Sequence, residues 1–207
     1  MPKYRITQSL LSSWAWIFKK ENGYQDFIND LNLIPKQPTE QILNGIQYEN
    51  CLNALLKGES IPDNHKWKKP LMEMSEELIG SQQQVDLKKD VLVDGVMFQL
   101  HGILDYLKAG VIHDCKYSEH YQLNKFLQSA QHPMYFKLVP EAYKFVYIIS
   151  DGKFVYREIY YPEDTIPIET IIRQFMKFLD HYNLIETYTS LWNLDTYYEN
   201  KKKRSNN

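Results

Sequence analysis

Apolar positions recur at helical spacing through the first third of the chain. Leu10, Leu11, Trp14 and Ile17 form one such run, which Thr7 or Ser9 can cap and which reaches to about residue 19. A second short helix is expected over 24–33, closed by Pro35. Thr39, followed by Gln41 and Ile42, opens a stronger one carrying Ile42, Ile46, Glu49, Leu52, Leu55 and Leu56 and ending at Gly58. Residues 59–70 read as a loop and 71–78 as a helix.

The period then changes. Residues 82–93 and 96–107 alternate and are rich in β-formers, with Asp94-Gly95 between them as a strong hairpin signal. Lys108-Ala109-Gly110 makes another tight turn into a third strand over 111–116. After a polar and aromatic stretch, Ser129 can cap a helix over 130–138, where Pro133 fits the first turn. Two further strands, 142–150 and 153–161, flank Asp151-Gly152. A helix follows over 168–182, with a weakly patterned helical stretch over 184–198. The expected class is α+β: a central mixed sheet, built from a three-strand antiparallel meander plus two further strands, flanked by helices. One domain spans 1–207, with a core at about 6–161, a helical extension at about 168–200 and a basic tail at 201–207.

With 43% hydrophobic and 24% charged residues, the composition excludes a disordered chain. Two cysteines, Cys51 and Cys115, exclude a disulfide framework and a four-cysteine cluster, and point to a reducing, cytoplasmic setting. No apolar run reaches the length of a membrane span, and no secretory signal is read. The net charge of −2 excludes a protein that coats nucleic acid by bulk charge, but not an enzyme with a local basic groove. The basic groups around Trp67 (Lys66, Lys68, Lys69) and the tail from Lys201 to Arg204 read as a solvated loop and terminus. The absence of a G-x-x-x-x-G-K loop argues against nucleotide hydrolysis.

The chemistry concentrates in Gly102-Ile103-Leu104-Asp105 and Asp114-Cys115-Lys116. With Lys108 and Ala109 as the turn, Asp105 pairs with Ile112, so Asp105, Asp114 and Lys116 share a face and the two carboxylates are diagonal neighbours. A three-residue loop would put Asp105 on the opposite face from Asp114. Two close carboxylates call for a cation, and oxygen ligands suit Mg²⁺ or Mn²⁺. A lysine two residues from such a ligand can orient a water and stabilise charge on phosphate. Gly45-x-x-x-Glu49 can bring a third carboxylate, and Gln131-x-x-x-Tyr135 puts an amide and a phenol on one helix face. Each of these alone is an ordinary surface feature; an N-cap alone would explain the extended-to-helix segment Ile6-Thr7-Gln8-Ser9-x-Leu11.

Together and in this order, the initial segment, G-x-x-x-E, G-x-x-D, D-x-K and Q-x-x-x-Y resemble the PD-(D/E)XK nuclease superfamily, and within it the RecB-type, phage-like exonuclease group. The resemblance covers residues 6–150 and implies a restriction-endonuclease-like core. It makes Glu49, Asp105, Asp114 and the main-chain carbonyl of Cys115 metal ligands, Lys116 the catalytic lysine, and Gln131 and Tyr135 a supporting pair near the substrate. It implies a Mg²⁺-dependent (or Mn²⁺-dependent) deoxyribonuclease, an exonuclease of phage or bacterial DNA processing, with DNA as partner and no membrane. The iron–sulfur branch needs four cysteines, so no cluster is expected. No motor motif is present, and a protein partner or a homo-oligomer remains open.

Three other groups lie near these motifs. His101 is expected on the face of Asp105 and His113 on the opposite one, both as packing. Cys115 also faces away from Asp114, without a histidine–acid relay, so it makes a poor nucleophile. The rivals to the enzyme reading are a non-catalytic nucleic-acid- or protein-binding protein on the same fold, and a nuclease active only within a complex.

Overall fold

The computed structural model describes residues 2–205. Its elements run β1 (Lys3–Thr7), α1 (Gln8–Ala15), α2 (Gly23–Leu31), α3 (Glu40–Leu56), α4 (Lys68–Leu78), β2 (Gln82–Val93), β3 (Val96–Lys108), β4 (Val111–Tyr117), α5 (Gln131–Leu138), β5 (Lys144–Ser150), β6 (Val155–Tyr160), α6 (Ile168–His181), α7 (Ile185–Leu191) and α8 (Tyr197–Ser205). The class is α+β, with a six-stranded mixed sheet flanked by helices. The strand missed in the sequence is β1. Its alternation of Lys3 and Arg5 with Tyr4 and Ile6 is too short to stand out, and it forms because β3 offers it a parallel edge. Helix α4 starts earlier than expected, with Pro70 in its first turn. The last predicted helix is two, α7 and α8. The second runs into the basic tail, whose residues 206 and 207 lie outside the described ones.

The β2–β3 hairpin closes on Asp94 and Gly95, both with positive φ, as a two-residue turn of this hand requires. Strands β4 and β5 pair in parallel at the middle of the sheet, and β5 reads Phe-Val-Tyr-Ile-Ile with every side chain buried. One face of the sheet packs against α1, α2, α5, α6 and the C-terminal helices. The other carries a smaller core of Tyr48, Leu52, Trp67, Leu71 and Met74 from α3, α4 and the turn before α4. Helix α6 buries Ile168, Ile172, Phe175 and Leu179 along one stripe, as its spacing predicts.

Strand β3 positions the site. One of its edges pairs with β2 along most of its length. The other pairs with β1 as far as His101 and with β4 from Tyr106 onwards. Between these, Gly102 to Asp105 face a fork where β1 and β4 part. The ladder to β2 also skips the Gln84–Asp105 pair, and Gln84 takes a left-handed φ of 51°. Leu104 and Tyr106 should share a face, yet they pack in opposite cores. The strand therefore kinks at Asp105.

Candidate functional site

The β3–β4 turn differs from the expected one. Lys108 pairs with Val111, and Ala109-Gly110, both at positive φ, are the turn residues. Lys108 instead uses its ammonium to cap the end of α4 at the Glu77 carbonyl, 2.7 Å away. Continued by one step past Tyr106–His113, this register sets Asp105 directly opposite Asp114 rather than diagonal to it. There the strands separate, and the Asp105 carboxylate spans the gap: its Oδ2 accepts the Cys115 N–H at 3.1 Å.

Asp114 is 1% exposed. The Lys116 ammonium lies 2.7 Å from its Oδ2 and donates to Oδ1 at 3.0 Å, and the Gln131 amide donates to Oδ1 as well. Oδ2 is thus held by charge without a directed hydrogen bond. About a third of the Lys116 side chain (35%) remains accessible, against 1% for Asp114. Burial alone would pull that ammonium down, but Asp114 and Asp105 outweigh it and hold it above its ordinary pKa. Burial, then the like charge of Asp114, push the Asp105 carboxyl up to about 8; Lys116 opposes the rise and Glu49 adds to it. Burial also raises the Cys115 thiol, which packs in the smaller core away from the carboxylates.

Glu49, on α3, accepts from the Gln84 amide at 3.1 Å and acts on Asp105 through charge. Among the described residues, no three His, Cys, Asp or Glu side chains form a group that could hold a metal ion. Any such ion would need main-chain or solvent oxygens beside the carboxylates.

Helix α5 supplies the supporting pair, with different roles for its two members. Ala130, rather than Ser129, is its N-cap; the Ser129 hydroxyl accepts from Gln131 N at 3.2 Å. Gln131 is buried against Asp114. Tyr135 is 3% exposed, and its hydroxyl donates to the Ile103 carbonyl at 2.7 Å. Its ring lies over Gly102, where a Cβ would come within 2.4 Å of Tyr135 Cε1. The glycine of G-x-x-D is thus required by contact with α5, which becomes visible only once α5 is placed. His113 turns to the opposite face toward Glu77, 3.9 Å away, as expected. His101 pairs with Asp86 of β2 at 3.0 Å; across the kink, alternation no longer ties its direction to that of Asp105. Cys51 packs in the smaller core, with Sγ 3.9 Å from His65 Nε2.

No family model matches the chain, and no curated protein matches it in sequence. Among solved structures it is similar to SSO0001, at 16% identity and a TM-score of 0.52, over 85% of this chain and 75% of that one. The likeness concerns the fold. No described helix is long and apolar enough to cross a membrane.

Proposed function

We propose that this chain is a metal-dependent deoxyribonuclease of the PD-(D/E)XK type. One observation carries the reading: Asp105, Asp114, Lys116 and Gln131, drawn from two strands and a helix, meet where β3 and β4 separate. Desolvation, then the like charge of Asp114, raises Asp105 there, and Asp114 Oδ2 is left without a directed donor. Such an arrangement costs stability, and it makes sense where a cation and a phosphate are to be held.

The donor set suits a hard divalent cation. Asp105, Asp114 and the Cys115 carbonyl would hold it, with Glu49 approaching from α3. Bound Mg²⁺ or Mn²⁺ would supply an acidified water and draw charge from the phosphate. Lys116 then orients the attacking water and stabilises negative charge growing on the phosphoryl oxygens. Gln131 fixes the Asp114 carboxylate, and Asp105 braces the fork through the Cys115 N–H. Exonuclease action in phage or bacterial DNA processing is the biology the resemblance suggests.

The test is incubation of the purified chain with labelled linear, circular and single-stranded DNA, with Mg²⁺, Mn²⁺ or chelator. Cleavage that needs the cation is expected, with linear substrate preferred. No cleavage of any of the three substrates at millimolar metal would remove the reading for the isolated chain.

A further inference from the structure

We propose that the cavity beside the fork contains a subsite for a phosphate group, with Arg5 as its anchor. The cavity has a volume of about 680 Å³ and is walled by β1, the start of α1, the 102–103 stretch of β3 and the C-terminal helices. Arg5 lines it and is only 3% exposed. Its guanidinium lies against the rings of Tyr197 and Tyr198, 4.9 and 5.2 Å from their centroids, and Nη1 donates to the Tyr198 hydroxyl at 2.8 Å. Its Nε is buried and has no hydrogen-bond partner.

A buried guanidinium offers five donors and a full charge, and leaving it uncompensated is costly. Two other arginines of the sheet and α6 are compensated: Arg157 binds Glu73 and Glu77, and Arg173 binds Asp94. Among the described residues no carboxylate pairs with Arg5. The two acids of the same cavity are engaged elsewhere, Asp30 with Lys36 at 2.6 Å and Asp86 with His101 at 3.0 Å. An anion from solution is the missing partner.

The surroundings favour phosphate over a simple halide. The planar fork of arginine matches phosphate oxygens two at a time. The Thr7 and Ser9 hydroxyls, 3.0 Å apart, stand at the first turn of α1 on the same wall, where the helix favours negative charge. The cavity far exceeds one phosphate, so it has room for a group attached to it. Gly102, Ile103 and Tyr135 belong to its lining, and Asp105 follows two residues on. A strand with one phosphate at Arg5 would therefore lead toward the carboxylate pair. Identifying the source as a nucleic-acid backbone rests on the nuclease reading; the anion subsite does not. Tyr197 and Tyr198 also bring the C-terminal helices, which carry none of the motifs, into the binding groove.

The experiment uses the full chain in chelator, so that binding is read without cleavage. The ¹⁵Nε resonance of Arg5 is followed while inorganic phosphate is titrated to about 20 mM, against chloride at equal ionic strength. A saturable shift is expected; its absence overturns the subsite without any variant. A fluorescent single-stranded oligonucleotide is then titrated into wild type, Arg5→Lys, Arg5→Gln and Lys116→Ala, with melting temperature as the check on folding. Arg5→Gln should weaken both probes about tenfold or more, and Arg5→Lys less, because it keeps the charge without the fork. Lys116→Ala should keep the phosphate response. A folded Arg5→Gln variant that binds both probes like wild type overturns the proposal. Phosphate binding through Arg5 with no oligonucleotide binding would uphold the subsite, assign it to a small phosphorylated ligand, and count against the nuclease reading.

Discussion

The two ends of β3 hold acidic residues in opposite ways. Near the β2–β3 hairpin, each carboxylate has its own cation in solvent: Asp90 has Lys3 at 2.6 Å and Asp94 has Arg173 at 3.0 Å. The Arg173 hydrogen bond holds Asp94 below the usual carboxylate range. At the fork, half-buried Asp105 and buried Asp114 share Lys116, and Asp105 is driven upward. Both ends belong to one strand of one sheet, so the difference comes from what surrounds them. The hairpin end is laddered to β2 up to its turn, and its acids point to water while Val91, Val93 and Phe98 fill the core. At the fork the ladder parts, and carboxylate, amide and phenol groups are spent on backbone and on each other. Exposed pairs add little to stability and ask nothing of a ligand. The fork cluster opposes folding, and the proposed chemistry rests on it.

The comparison breaks first at Asp105. Asp105→Asn keeps an oxygen for the Cys115 N–H and removes the repulsion. DNA cleavage should fall below detection while stability, measured by urea unfolding in chelator, rises. The sign follows from the titration. A carboxyl near 8 in the fold and about 3.9 unfolded favours the native state at low pH and loses that contribution as pH climbs from about 4 to 8. The gain should thus be near zero at pH 4 and grow with pH, by at most about 5 kcal/mol at pH 8. A gain independent of pH would mean that repulsion at the fork is not its source.

A smaller effect is expected at Gly102. Gly102→Ala drives a methyl into the Tyr135 ring and should cost about 1–3 kcal/mol of stability, read as a lower urea midpoint. Pairing it with Tyr135→Ala should recover part of that loss, because the two changes meet at one contact. Strictly additive losses would separate the glycine from the helix. The smallest effect belongs to the hairpin end. Asp90→Asn removes the Lys3 pair, and unfolding free energy should move by less than about 0.5 kcal/mol.

Much of this was legible beforehand, for local reasons. Asp94-Gly95 announces its turn because few other residue pairs accept its backbone. Asp105, Asp114 and Lys116 stand close in sequence across a short turn, so either two-residue register keeps the acids on one side. Which acids face each other depended on one residue of turn placement, and local propensity did not choose between Lys108-Ala109 and Ala109-Gly110; the contact of Lys108 with α4 did. Strand β1 needs an edge made ninety residues later. The kink at Asp105, the fit of Gly102 under Tyr135 and the burial of Arg5 against Tyr197 and Tyr198 are long-range facts with no periodic trace. Gln131 and Tyr135 share a helix face as their spacing implies, yet one serves Asp114 and the other the Ile103 carbonyl, a division that spacing does not carry.

The Asp105–Asp114–Lys116 cluster is proposed to hydrolyse phosphodiesters. Its most direct test is single-turnover cleavage of end-labelled linear DNA with Mg²⁺ by wild type and Lys116→Ala, both shown folded by near-ultraviolet circular dichroism. A loss of about a hundredfold or more in rate is expected, with little change in DNA affinity, since the lysine acts on the transition state. Cleavage by Lys116→Ala at a rate close to wild type would contradict it.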